Sequence, residues 1–351
     1  RILQDLGIPP DFSCVNPAPF RYTHRRTEDG SEIYFLSNKQ NATVEAICNF
    51  RMSDRRPEFW WPETGQTERP AIYSETNNVI SLPVRLFEFG SVFVVFPPES
   101  RPEADRIVKI AHNGTAITSD IGSKIQVSRK DGKFEYLISQ AGLYTLQTLN
   151  GKVLKTEIAK LPEPLKITGP WDVEFTPNWG APPRVQFPEL TSWSDHADQG
   201  VRYFSGKATY LKKMMITADL LKKDRLLFLD LGEVEVMAIV KLNRKVLGIL
   251  WKKPFRIDIT TAAHVGENAL EVTVVNLWPN RQIGDANLPA DCSWSDRGEL
   301  REYPQWLVDD KPSPTGRFTF SIIKVWPKDA ALRKSGLLGP VMLHTFARVM
   351  S

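Results

Sequence analysis

Between Asn276 and Asp285 the chain reads Asn-Leu-Trp-Pro-Asn-Arg-Gln-Ile-Gly-Asp, and Asn276, Trp278, Asn280, Arg281 and Asp285 are a set that can hold a saccharide. An indole face suits the C–H surface of a sugar ring, while amide, guanidinium and carboxylate groups match pairs of hydroxyls. The same residue types suit another use. Asn and Arg at strand ends tie down loop backbone, so the segment reads also as a seam on which neighbouring structure docks. A second set is His24, Arg25 and Arg26. Alternate residues of a strand share a face, so His24 and Arg26 can reach one pocket that Arg25 cannot. There they either contact substrate or fork onto carboxylates as ion pairs.

Other chemistries find little support. Two carboxylates at strand spacing, Glu233 and Glu235, lie on one face, but a glycosidase needs its two carboxyl groups roughly 5 to 9.5 Å apart across the scissile bond, one with a raised pKa. A same-face pair on a sheet surface is ordinarily solvated. No glycine-rich phosphate cradle or dinucleotide fingerprint occurs, and the five histidines are scattered singly. Ser205 stands in Phe-Ser-Gly-Lys rather than in a Gly-x-Ser-x-Gly elbow. Cys14, Cys48 and Cys292 lie far apart in sequence, without zinc spacing, and are expected as buried thiols acting as small hydrophobes. Of the tryptophans, Trp171 and Trp251 sit among apolar strand residues and are expected in the core. Trp60, Trp61, Trp193, Trp294 and Trp306 lie in polar or proline-bearing loops, as a glycan platform or packed on a partner domain.

The elements that must position these residues are strands. Arg21–Arg26, Glu32–Ser37, Thr43–Phe50, Val79–Leu86 and Ser91–Phe96 are short alternating or apolar runs bounded by turn residues. Lys124–Ser128, Phe134–Ile138 and Gly142–Leu149 follow, with hairpin signals at Lys130-Asp131-Gly132-Lys133 and Leu149-Asn150-Gly151-Lys152. Further turns are expected at Leu242-Asn243-Arg244-Lys245 and at Gly266-Glu267-Asn268. Helical periodicity is scarce, apart from a helix-like scrap at Ile2–Gly7. The expected fold class is all-β, as tandem antiparallel β-sandwiches. Prolines at 97, 98 and 102 and at 162 and 164 mark linkers. The expected divisions are a leading segment 1–20, a β-sandwich 21–98, a small β-rich domain 99–164 and a last domain 165–351.

Composition sets limits. The 351 residues, 42% hydrophobic and 25% charged, suffice for two or three packed domains. A net charge of +4 without single-sign blocks leaves no electrostatic footprint for nucleic acid, and no run reaches the roughly 18 apolar residues of a membrane span.

Several pieces occur in an order that carries a resemblance. They are Gly169-Pro170-Trp171-Asp172-Val173-Glu174-Phe175, Gly200-Val201-Arg202-Tyr203-Phe204-Ser205-Gly206, Leu242-Asn243-Arg244-Lys245, Pro254-Phe255-Arg256, Asn276–Asp285 and Ser335-Gly336-Leu337-Leu338-Gly339-Pro340-Val341. Together they resemble the C-terminal galactose-binding-like jelly roll of α-L-rhamnosidase-like enzymes of glycoside hydrolase family 106, with the family 2 sugar-binding domain a looser relative, and the resemblance implies that the tandem antiparallel β-sandwiches end in a galactose-binding-like jelly roll over 165–351. Tyr22–Arg26, Pro57–Gly65 and Gly90–Phe96 resemble the sandwich that follows the catalytic barrel in those enzymes. The resemblance implies a noncatalytic accessory region with no catalytic residue of its own, since no stretch has the alternating strand and helix of a (β/α)8 barrel. Residues 1–20 would then trail from an upstream barrel partner. It implies a rhamnose-containing polysaccharide as the carbohydrate partner and a periplasmic or extracellular location. It implies no cofactor here, with calcium the one ion left open. The reading from a different class is a self-standing carbohydrate-binding or scaffolding module.

Overall fold

The computed structural model describes residues 10–15, 18–117 and 124–351; the expected helix-like scrap at 2–7 lies outside them. Strand accounts for 46% of the structure and helix for 6%, so the all-β expectation holds, as tandem antiparallel β-sandwiches. Two compact units divide the chain, one comprising 1–163, 222–226 and 345–351 and the other 164–221 and 227–344.

The first unit holds two hydrophobic cores. Around the first, one sheet orders Phe12–Cys14, Val44–Phe50, Val79–Leu86 and Ser74–Thr76, and another orders Phe20–Arg26, Glu32–Asn38, Ser91–Phe96, Glu58–Trp60 and Thr67–Glu68. Strict alternation in Val79–Leu86 puts Ile80, Leu82, Val84 and Leu86 inside, against Tyr34, Leu36, Val92, Val94 and Phe96 of the other sheet. The second core lies beneath Ile107–His112, Gly142–Thr148 and Val153–Ile158 on one side and Ile125–Lys130 and Lys133–Ile138 on the other. Lys133–Ile138 pairs with residues 347–350, where Arg348 meets Glu135 at 2.7 Å. Lys130-Asp131-Gly132-Lys133 is the expected hairpin: Lys130 pairs with Lys133, and Asp131 and Gly132 both take positive φ.

In the second unit a six-stranded sheet orders Arg184–Phe187, Trp171–Phe175, Lys207–Ile216, Gly266–Val275, Met237–Leu242 and Lys245–Leu250. Residues 228–230 pair with Arg256–Asp258, and Leu165 and Lys166 pair with Leu343 and Met342. Trp171, Trp193, Phe204, Tyr210 and Leu229 fill the core. A buried relay orders it. Trp193 Nε1 donates to the Tyr210 hydroxyl at 2.7 Å, and that oxygen also accepts the Leu337 N–H at 3.0 Å. The chain passes so close that a Cβ on Gly336, at φ +100°, would lie 2.6 Å from Trp193 Nε1 and 2.7 Å from the Tyr210 oxygen, which only glycine avoids.

Several expectations are corrected here. Gly266-Glu267-Asn268 is the start of the ten-residue strand Gly266–Val275 rather than a turn. The bend lies earlier, where buried Asn268 accepts the His264 N–H at 3.0 Å and donates to the His264 carbonyl at 2.7 Å. Trp251 is not core. It is 54% exposed, because it follows the sheet's edge strand, whose apolar Val246 and Ile249 also face outward. Trp193, expected in a loop, is fully buried in a short 3-10 turn. Of the three cysteines only Cys48 is buried; Cys14 and Cys292 are half-buried.

Candidate carbohydrate-contact site

Asn276–Asp285, expected as a strand-exit loop, becomes largely the helix Pro279–Ala286, with Pro279 at its first position, where a missing N–H costs nothing. Tertiary packing holds so short a helix, and its polar residues face inward. The Asn276 side chain accepts the Gly206 N–H at 2.8 Å and donates to the Phe204 carbonyl at 2.9 Å. Asn280 is buried, donating to the Arg333 carbonyl at 2.7 Å and to Ser335 Oγ at 2.9 Å, while its own oxygen accepts the Arg333 N–H.

Arg281 and Asp285 form a buried ion pair at 3.0 Å, one helical turn apart. The guanidinium lies over the Phe318 ring, 5.0 Å from its centroid, and burial lowers its pKa despite the Asp285 charge. Asp285 Oδ2 accepts the Phe318 N–H at 3.0 Å, the Thr319 N–H at 2.7 Å and the Thr319 hydroxyl at 2.8 Å. Four of the five expected contact residues are therefore engaged by protein, and three of them, Asn280, Arg281 and Asp285, anchor the long excursion after the helix.

Trp278 is the member left facing outward. It is 52% exposed and sits edge-on to Trp179 at 5.8 Å, and Trp179 in turn packs on Phe318 at 5.5 Å. Its indole adds an exposed aromatic surface beside the anchored helix. Against the helix opens a cavity of about 180 Å³, whose walls include Gln282, Asp285, Trp294, Arg317, Lys324 and Trp326. Trp326 Nε1 donates to Gln282 Oε1 at 2.8 Å, fixing one wall. The Asp291 carboxylate accepts Ser313 Oγ at 2.6 Å and Thr315 Oγ1 at 3.0 Å and forms an ion pair with Arg317, whose Nε lies 3.0 Å away. Burial pushes Asp291's pKa up, but these donors outweigh it and hold the carboxyl below its ordinary range. Aromatic walls with fixed polar groups can accept a sugar's C–H face and hydroxyls. Trp294 is legible in the sequence as one of several loop tryptophans suited to a glycan platform, whereas Arg317 and Trp326 escape a sequence reading, since they meet the helix only through the fold of the 288–334 excursion.

The other expected set is in the first unit. His24 stacks on Tyr34 at 3.9 Å and bridges two carboxylates, Asp11 at 3.0 Å and Glu32 at 2.8 Å; Arg26, largely exposed, approaches Glu32 at 3.5 Å. The shared face of His24 and Arg26 is thus an ion-pair cluster. Glu233 meets Lys334 at 3.3 Å, and the neighbouring Glu235 carboxyl is pushed up by partial burial and by Glu233. Among the described residues no group of three or more His, Cys, Asp or Glu side chains could hold a metal ion. No helix among them is long and apolar enough to cross a membrane.

The comparisons place the relationship of this tandem of β-sandwiches among glycoside hydrolases. The alpha-L-rhamnosidase model of glycoside hydrolase family 106 matches residues 1–74. A Formosa agariphila protein named "Putative beta-glucuronidase" is 43% identical over 223 residues, which is 63% of this chain and 19% of that protein. The structure of the rhamnosidase from Novosphingobium sp. PP1Y matches with a TM-score of 0.66 at 29% identity, over 98% of this chain and 26% of that one. The resemblance to α-L-rhamnosidase-like glycoside hydrolases thus holds, while the chain spans only about a fifth of the curated relative and a quarter of the solved one.

Proposed function

We propose that this chain is an accessory region of an α-L-rhamnosidase-like glycoside hydrolase acting on polysaccharide, a set of β-domains that supports a catalytic barrel and touches substrate through Trp278 and the cavity beside its helix. The observation that carries the reading is the match of nearly the whole chain to about a quarter of a rhamnosidase. The second unit serves as a galactose-binding-like domain, and the setting is periplasmic or extracellular, where polysaccharide is met. Fixed aromatic walls and the buried Arg281–Asp285 anchor support a rigid contact surface, because a preformed site loses little entropy on binding.

Calorimetric titration of the whole chain with rhamnose-containing oligosaccharides tests it. Saturable binding is expected, weakened in Trp278→Ala and in Trp326→Ala. Absence of binding, or binding unaltered in both variants, would remove the substrate contact and leave a supporting role. Joining the chain to the barrel of the Novosphingobium rhamnosidase in place of that enzyme's matching quarter tests the support; a soluble, active chimera is expected, and an unfolded one counts against it.

A further inference from the structure

Cys14 and Cys48 face each other across the first sandwich's sheet. Phe12–Cys14 pairs antiparallel with Val44–Phe50, and the register sets Cys14 opposite Cys48. The hydrogen bonds say which kind of pair this is. Val15 N–H donates to the Ile47 carbonyl and Arg51 N–H to the Asp11 carbonyl, so 15/47 and 11/51 are hydrogen-bonded pairs. Alternation then makes 14/48 a non-hydrogen-bonded pair, the kind whose Cα atoms approach to about 4.5 Å. That separation is inside the roughly 4.4 to 6.8 Å range of disulfides. The sulfurs already lie 3.8 Å apart. Cys48 is fully buried in the core and Cys14 half-buried at its rim, so one sulfur is reachable and the other is held behind it.

We propose that Cys14 and Cys48 are a disulfide-forming pair that, in an oxidising compartment, covalently ties the first described strand to its neighbour, with Cys292 remaining a free thiol. The oxidant is a small-molecule disulfide. The Cys14 thiolate attacks one of its sulfurs and expels the other as a thiolate, giving a mixed disulfide. Cys48 then loses its proton and attacks the Cys14 sulfur, forming the Cys14–Cys48 bond and releasing the second thiol. Two protein thiols are oxidised and one disulfide is reduced to two thiols. The order suits the sulfurs: the hydrogen bond with Cys48 holds Cys14 below the ordinary thiol range against its partial burial, whereas that bond and burial push Cys48 up. The pair closes a loop between residues 34 apart in sequence, which restricts the unfolded chain. Its standing is independent of the proposed function.

The test is refolding of the whole chain from urea in an oxidised and reduced glutathione buffer, followed by thiol titration in denaturant and tryptic peptide mapping. Free thiols are expected to fall from the three of the reduced protein to one, with a linked peptide pair containing Cys14 and Cys48 that arginines and Lys39 between them allow trypsin to separate. Cys292→Ala should still form the link, and Cys14→Ala or Cys48→Ala should lose it. The oxidised protein should melt roughly 5 °C or more above the reduced one, a difference absent in Cys14→Ala. Three free thiols after refolding to native circular dichroism, or a link that runs through Cys292, would overturn the proposal.

Discussion

Each residue near the candidate site is held by its own short list of partners, and the partners set what a mutation does. Arg281→Ala leaves the Asp285 carboxylate buried without its cation. Stripping one partner from a buried pair costs about 3 to 5 kcal/mol, so a large fall in the urea midpoint is expected. Trp278→Ala removes a side chain half in water, and exposed substitutions usually shift stability by no more than about 0.5 kcal/mol; its midpoint should barely move. Equal losses in the two variants would mean that the exposed indole is as structural as the buried ion pair. Tyr210→Phe is a sharper case. It deletes the acceptor shared by Trp193 Nε1 and the Leu337 N–H, where no water reaches. Each stranded donor costs about 1 to 3 kcal/mol, so a loss of about 2 to 6 kcal/mol by denaturant titration is expected with no change of shape.

At the scale of elements, the 288–334 excursion carries isolated β-bridges rather than strands, and two carboxylates gather its segments. Asp285 gathers Phe318 and Thr319, and Asp291 gathers Ser313, Thr315 and Arg317. The Asp291 pKa is depressed in the folded state. Its stabilisation is therefore fully present above the unfolded value of about 3.9 and is lost as pH falls through the lower folded value. Hydrogen exchange of residues 313–319 should accelerate in Asp291→Asn at neutral pH. In the parent the same amides should keep their protection until the solution is more acidic than pH about 4. Loss of protection already near pH 6 would show that another group holds the excursion.

For the whole molecule, strand content and the make-up of its carboxylates lead to two expectations. Far-UV circular dichroism should be β-dominated, with helix near the 6% found here; helix near the roughly 30% typical of globular proteins would contradict the fold. The whole chain should release no nitrophenol from an α-L-rhamnoside above the buffer rate. The same-face carboxylates Glu233 and Glu235 are the pair the sequence offers for a glycosidase dyad, yet Glu233 is engaged by Lys334 at 3.3 Å. Hydrolysis abolished by Glu235→Gln would make that pair catalytic and reverse the accessory reading.

Local signals were enough to show that the chain is all-β, where most strands of the first unit run, and where Asp131-Gly132 turns the chain. Alternation at period two and glycine at positive φ are properties of a few adjacent residues, and burial on one face preserves them. The chemistry-bearing set from Asn276 to Asp285 was also legible as a set, but not which way each member points. Only the fold turned Asn280, Arg281 and Asp285 inward to anchor a distant excursion and left Trp278 outside, because that depends on residues 318, 319 and 333 arriving from far along the chain. Trp251 and Trp193 also depart from their expected places: an apolar run looks alike on an edge strand and a central one, so only the strand order puts Trp251 outside, and Trp193, on a 3-10 turn, is drawn into the core by packing on Tyr210 from a strand remote from it. Cys14 and Cys48, remote in sequence, became neighbours through strand register, a quantity set by pairing across the sheet and carried by neither segment alone.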